Sequence, residues 1–171
     1  MVIFLAMEHC LLGIRYLDKI KENMDFGLAI TSTIEVKNKS VVINSLSDDL
    51  KAFFLNKDYG TDIKSYTIGV VCVSPQFEQF FKDKKPSYTK GKKTINPDGI
   101  PFTFEDSFEY SIKLDFATFK NGKDEECRKL LAGEILKSLT ILDTMKSKIK
   151  DFNSEKFKED LESYFREKEL I

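Results

Sequence analysis

Tryptophan is absent from the 171-residue chain, and histidine occurs once, at His9. One imidazole leaves little room for a Ser–His or Cys–His hydrolase. His9 also directly precedes Cys10, and adjacent side chains point in different directions. Cysteine is scarce: Cys10, Cys72 and Cys127 are odd in number, far apart and without CxxC spacing. That pattern speaks against a disulfide framework and a zinc site, and reads as buried free thiols in a reducing compartment. A nucleophilic role for one thiol stays open. No GxGxxG, GxxxxGK[ST] or GxSxG occurs, so nucleotide binding and a nucleophile elbow lack support. Long apolar runs are missing too. "MVIFLAM" (1–7) has no basic flank and stops at Glu8, too short for a signal peptide or membrane span. It reads as a buried first strand; a cytoplasmic protein without membrane contact is expected. Neither sign of charge dominates: the net charge is −1, giving no overall basic field to attract nucleic acid.

What is present suits a packed core. Hydrophobic residues make up 42% of the chain, with 15 Phe and 6 Tyr, and the length favours one domain over residues 1–171. The spacing predicts a helix over 9–23, on Leu12, Tyr16 and Ile20, and a β-branched strand over 26–38. A short helix capped by Ser47 should follow, with Asp48 and Asp49 in its first turn and Leu50, Phe53 and Phe54 buried. Residues 57–66 read as a turn in which Gly60 takes positive φ and Asp58 closes an Asx turn. A strand follows over 66–75. A short helix bearing Phe77, Phe80 and Phe81 then leads into a loop interrupted by Pro86, Gly91, Pro97, Gly99 and Pro101. From Phe108 the chain alternates: Phe108, Tyr110, Ile112 and Leu114 face one way, and Glu109, Ser111, Lys113 and Asp115 the other. A helix over 123–145 carries Cys127, Leu130, Leu131, Ile135, Leu139 and Leu142 on one stripe. A last helix, 154–168, presents Phe157, Leu161, Tyr164 and Phe165. The expected fold is α+β: a mostly antiparallel sheet with the two C-terminal helices packed on one face.

The charged residues carry the candidate sites. Acids cluster at Glu105, Asp106 and Glu109, at 124–126, and at Glu159, Asp160 and Glu162. Each cluster has an ordinary structural account, as a strand edge, a helix N-terminus or a solvated face, so no catalytic, metal or cofactor site is assigned. Residues 82–93 hold six Lys, among them Lys82, Lys84 and Lys85, against one Asp, with Tyr88 between them. A basic aromatic segment of this kind suits a solvated loop, a phosphate backbone or an acidic protein surface.

Two segments carry a resemblance. One is "KDYGTDIKSYTIGVVCVSP" (57–75), with Asp58, Tyr59 and Gly60. The other runs from "FEYSIKLDFATFKNGKDEECRKLLAGEILKSLTIL" to "IKDFNSEKFKEDLESYF". It contributes Leu114, Asp115, Phe116 and Phe119; Leu130, Leu131, Ser138 and Leu139; and Asp151, Phe152, Phe157, Asp160 and Leu161. In this order the chain resembles bacterial polymorphic-toxin immunity proteins, most nearly the immunity protein 44 family. Residues 24–46 and 82–101 depart from that pattern. The resemblance implies a non-enzymatic protein, without cofactor, that neutralises a cognate toxin domain by direct binding, a nuclease being one candidate toxin. The residues expected to meet the partner are Glu105, Asp106 and Glu109, or Lys82, Lys84 and Lys85. The alternative is a nucleic-acid-binding or enzymatic module using the lysine-rich segment 82–93.

Overall fold

The computed structural model describes residues 24–32, 34–80, 85–95 and 101–171. The strand expected at 2–7, the helix at 9–23 and Cys10 lie outside them. Among the described residues, four strands form one sheet: β1 (Asp25–Ser32), β2 (Ser65–Cys72), β3 (Ser87–Ile95) and β4 (Pro101–Lys113), in the order β1-β2-β4-β3. The helices are α1 (Ser40–Phe54), α2 (Phe116–Asn121), α3 (Asp124–Ser138), α4 (Ile141–Met145) and α5 (Ser154–Glu167). The class is α+β, but the sheet is mixed. β1 pairs with β2 and β2 with β4 in parallel; β3–β4 is antiparallel. The expectation of a mostly antiparallel sheet is corrected by α1, a crossover helix that returns the chain so that β2 runs alongside β1 in the same direction.

That crossover starts earlier than its sequence signals suggest. Residues 34–39, expected to extend a strand, form a 3-10 turn, and α1 begins at Ser40. Val42, Ile43, Leu46, Leu50 and Phe54 supply its buried stripe at helical spacing. Ser47 is no cap. It sits inside the helix and its Oγ accepts a 3.0 Å hydrogen bond from the Leu28 backbone N–H, so α1 satisfies a β1 donor that does not pair with β2.

Strand register builds the core in rows. Phe26, Tyr66 and Phe108 stand side by side, then Leu28, Ile68 and Tyr110, then Ile30, Val70 and Ile112. Three helices cover this face. The Phe54 ring of α1 lies 5.0 Å from Phe26, Phe157 of α5 lies 4.8 Å from Tyr66, and Ser138 of α3 meets the Tyr110 hydroxyl at 3.0 Å. α3 and α5 thus pack on one face as expected, with α1 beside them. Each fully buried Phe contributes about 1.5–3 kcal/mol relative to exposure. The core hydroxyls are partnered in series: Tyr66 donates to Tyr110 at 3.2 Å, and Ser138 donates to the Ile135 carbonyl at 2.6 Å. The opposite face carries mostly small and polar residues, Gly27, Ala29, Thr67, Gly69, Ser111 and Lys113 among them, with Val71 buried between them.

Two further expectations change. The apolar stripe of 123–145 is buried at Cys127, Leu131, Ile135, Leu139 and Leu142, yet the helix breaks after Ser138. The Ser138 and Thr140 hydroxyls take the Ile135 and Lys137 carbonyls, and Leu139 N–H reaches back three residues to Leu136. Residues 87–95, expected as loop, form β3. Lysine, which makes this segment look loop-like, is a residue that edge strands often carry. Gly91, at φ +66°, accommodates a register shift between Thr89 and Lys92. Pro75–Phe80 is a 3-10 turn that leaves Phe77 41% exposed.

Candidate partner-binding surface

β3 and β4 bring together the two charged groups that look separate in sequence. Lys92 stands opposite Glu105, Thr89 opposite Ser107 and Ser87 opposite Glu109. The acidic and basic groups therefore share one two-stranded ribbon. Asp106 is committed within that ribbon: its Oδ1 accepts the Gly91 N–H at 2.5 Å and holds the bulge. Glu109 is half-buried and engaged within the chain. Lys85 is exposed just ahead of β3, while Lys82 and Lys84 lie outside the described residues. Tyr88 is half-buried, with its hydroxyl shielded from solvent. Burial, then the carboxylates of Asp106 and Asp62, push the phenol up to about 12. An aromatic in that setting belongs to the sheet edge and offers no open stacking platform.

A second constellation joins the two motif segments. Gly60 has φ +105°, and its N–H donates to Asp58 Oδ1 at 3.0 Å, the Asx turn that the sequence predicts. This turn is stapled to residues 151–153, some ninety positions away. Asn153 N–H donates to the Tyr59 carbonyl at 2.6 Å, Asp62 N–H to the Asp151 carbonyl at 3.1 Å, and Asp151 N–H to Asp62 Oδ2 at 2.7 Å. Thr61 donates to the Asp151 carboxylate through its hydroxyl and backbone N–H. Tyr59, 3% exposed, donates to Asp160 Oδ2 at 2.7 Å, and Lys57 pairs with the same carboxylate at 3.2 Å. Burial, then the neighbouring Asp160 charge, push the Tyr59 phenol far above its usual range. Burial alone would raise Asp160; the Tyr59 hydroxyl and Lys57 outweigh it and hold the carboxyl below the ordinary value. The Asp–Tyr–Gly turn and the Asp–Phe turn before α5 are thus two halves of one clasp, with a structural task.

Several lysines of α5 and the residues that follow it make contacts within the chain. Lys158 pairs with Asp143 at 2.9 Å, Lys156 lies over the Tyr59 ring and donates to the Asp58 carbonyl, and Lys168 lies over the Tyr164 ring. Glu155, Glu159, Glu162, Glu167 and Glu169 are exposed. These acids are exposed, but so are Lys156, Arg166 and Lys168, and Glu162 pairs with Arg166 and Glu155 with Lys146. Sequence shows the excess of acid; the lysine contacts depend on which helix face meets Tyr59, Tyr164 and Asp143.

The remaining chemical candidates have structural accounts. Cys72 and Cys127 are buried and unpaired, and burial first, then nearby Asp115, push Cys72 up to about 11, against reactivity at neutral pH. Cys127 donates to the Phe119 carbonyl at 3.2 Å. In the acidic run 124–126, Asp124 pairs with Lys39 and Glu126 accepts the Lys123 N–H as a helix cap. Among the described residues no group of three or more His, Cys, Asp or Glu is placed to hold a metal, and no helix is long and apolar enough to cross a membrane.

No curated protein and no solved structure gives a significant match. The immunity protein 44 family, in contrast, matches residues 24–167. The match runs from the start of β1 to the end of α5, taking in the whole sheet, the core helices and both halves of the clasp, and on that extent the chain belongs to the immunity protein 44 family.

Proposed function

We propose that the protein neutralises a cognate bacterial toxin by binding it directly, without catalysis, as a single cytoplasmic domain. Family membership across residues 24–167 carries this reading. Its supports in the chain are the buried thiols with raised pKa and the clasp and caps that occupy so many of its carboxylates. Inhibition then follows from covering the toxin's active site or its substrate path, and an interface of about 800 Å² per partner fits on a chain of this size. Should the toxin be a nuclease, its substrate groove is basic. Outward-facing acids on the immunity protein then speed encounter and compete with phosphate.

The test uses the toxin domain encoded beside this chain's gene. Co-expression should rescue cells from that toxin, and the purified pair should form a stoichiometric complex. No rescue and no complex would refute the proposal. Salt-sensitive binding of RNA or DNA by the isolated protein would instead favour the lysine-rich segment as a nucleic-acid site. The two charged groups are compared in the same system. Reversal of Glu105 should slow toxin association and weaken its salt dependence if the toxin surface is basic. Reversal of Lys82, Lys84 and Lys85 should do so if it is acidic. Asp106 is left intact because its carboxylate holds Gly91, and Glu109 because it is half-buried and engaged within the chain. Unchanged rates for both variants at two salt concentrations would exclude electrostatic docking through either group.

A further inference from the structure

An open cleft of about 370 Å³ lies between α1 and α5, outside the charged groups picked from sequence. Its floor is Ala52, Phe53 and Tyr164, with the two rings 4.6 Å apart. Leu55, 53% exposed, follows Phe53 at the end of α1. Sequence periodicity assigns Phe53 and Tyr164 to the core. Tyr164 is buried, but Phe53 is half-buried and its ring reaches this surface.

An apolar aromatic centre with a charged rim is the anatomy of a protein interface, where aromatic anchors dominate binding. The rim charges indicate the partner's sign. Each nearby cation is engaged inside the chain: Arg128 with Asp49 at 2.5 Å, Lys51 with Asp25 at 2.7 Å, and Lys57 with Asp160 while lying 4.2 Å from the Phe53 ring centre. Lys168 sits 5.9 Å from the Tyr164 ring centre. Among the described residues, Glu167 on the rim and Asp48, one turn before Ala52, make no ion pair or hydrogen bond. Lys168 lines the cleft without a carboxylate partner, so the unpaired charge around it is two carboxylates against one ammonium, net anionic, and the ring faces on its floor already draw lysines.

We propose that this cleft is the anchor site for a basic side chain, arginine or lysine, on the toxin. The cation would lie over the Phe53–Tyr164 floor, displacing the Lys168 ammonium, and would pair with Glu167. This inference rests on the toxin-binding reading above and specifies where that binding is concentrated.

The experiment uses the full chain and the toxin domain encoded beside its gene, with affinity measured by calorimetry. Ala52→Arg fills the cleft with a cation of its own, Glu167→Lys reverses the rim, and Glu167→Gln removes the charge with little change in shape. Glu125→Lys on α3 is the control for charge change elsewhere. With melting temperatures unchanged, Ala52→Arg and Glu167→Lys should weaken binding at least tenfold and Glu167→Gln several-fold, while the control stays within twofold. Parental affinity in stably folded Ala52→Arg and Glu167→Lys overturns the cleft and leaves toxin binding standing. Tighter binding by Glu167→Lys overturns the assigned charge of the partner. A dimer of this chain that Ala52→Arg abolishes, with toxin binding untouched, gives the cleft to a second copy and overturns the proposal. If the parent binds no toxin, both readings fall together.

Discussion

Gly60→Ala should be among the most damaging single-methyl changes in the protein. A Cβ on Gly60 would lie 2.2 Å from the Asp151 carbonyl oxygen, a backbone atom that cannot swing aside. The φ of +105° is costly for any L side chain, by about 1–2 kcal/mol even in the better-tolerated left-handed region. Relieving the clash means separating the two turns, which loosens Asn153 N–H from Tyr59 O, Asp62 N–H from Asp151 O and Asp151 N–H from Asp62. At roughly 0.5–1.5 kcal/mol per hydrogen bond, losing two or three adds about 1–4 kcal/mol. The total is about 2–6 kcal/mol, or a drop in Tm of roughly 4–24 °C for a domain of this length. Gly91→Ala is the matched comparison. Its φ is also positive, at +66°, but a Cβ there meets nothing within 4 Å. It should cost about 1–2 kcal/mol from backbone conformation alone. Urea unfolding followed by circular dichroism measures both. If Gly60→Ala is no more destabilising than Gly91→Ala, the contact with residues 151–153 is not holding the turn and the clasp is wrong.

The core stripe of α3 makes a second prediction: Leu131→Ala and Leu139→Ala, buried at 0% and 5% exposure, should each cost about 2–5 kcal/mol. Unchanged melting of either variant would remove that residue from the core. A third concerns acid. Asp160 is held below its ordinary pKa when folded, so the stability it contributes is present above the ordinary aspartate value and is lost as pH falls through the folded one. Tyr59→Phe removes the main favourable hydrogen bond to that carboxylate and should cost about 1.5–3 kcal/mol near neutrality. The difference from the parent should shrink at low pH; a constant gap across the titration would show that the Asp160 charge does not matter.

These variants fall where sequence and structure meet unevenly. β4 and α5 are legible because alternation and the three–four spacing reflect one buried face each, and Phe108, Tyr110, Phe157 and Leu161 lie where the pattern puts them. Strand direction is not legible, since alternation is the same in parallel and antiparallel pairs. Here it is set by α1, whose start is obscured by β-branched Val41, Val42 and Ile43. β3 is missed because Lys90, Gly91, Lys92 and Lys93 resemble a solvated loop, the very chemistry that protects an edge. At the candidate surface, Glu105 and Asp106 are visible as charge, but their pairing with β3 is a matter of register. Asp58, Tyr59 and Gly60 read as a turn on their own; that they grip Asp151 and Asn153 depends on a contact no local pattern contains.

The clasp also sets an order of events for the newly made chain. Tyr59 and Asp160 are 101 positions apart, so the turn that leads into β2 is locked only after α5 has left the ribosome. Parallel pairing of β1, β2 and β4 likewise depends on long-range closure, which is slower than hairpin formation. At about 5–20 residues per second, the interval between synthesis of the turn and of its partner is roughly 5–20 s. During that interval the chain is without its final clamp. If the protein neutralises a toxin as proposed, a cell relying on it needs a standing stock of finished molecules, because a nascent copy stopped short of its last helix lacks the Asp160 partner of Tyr59.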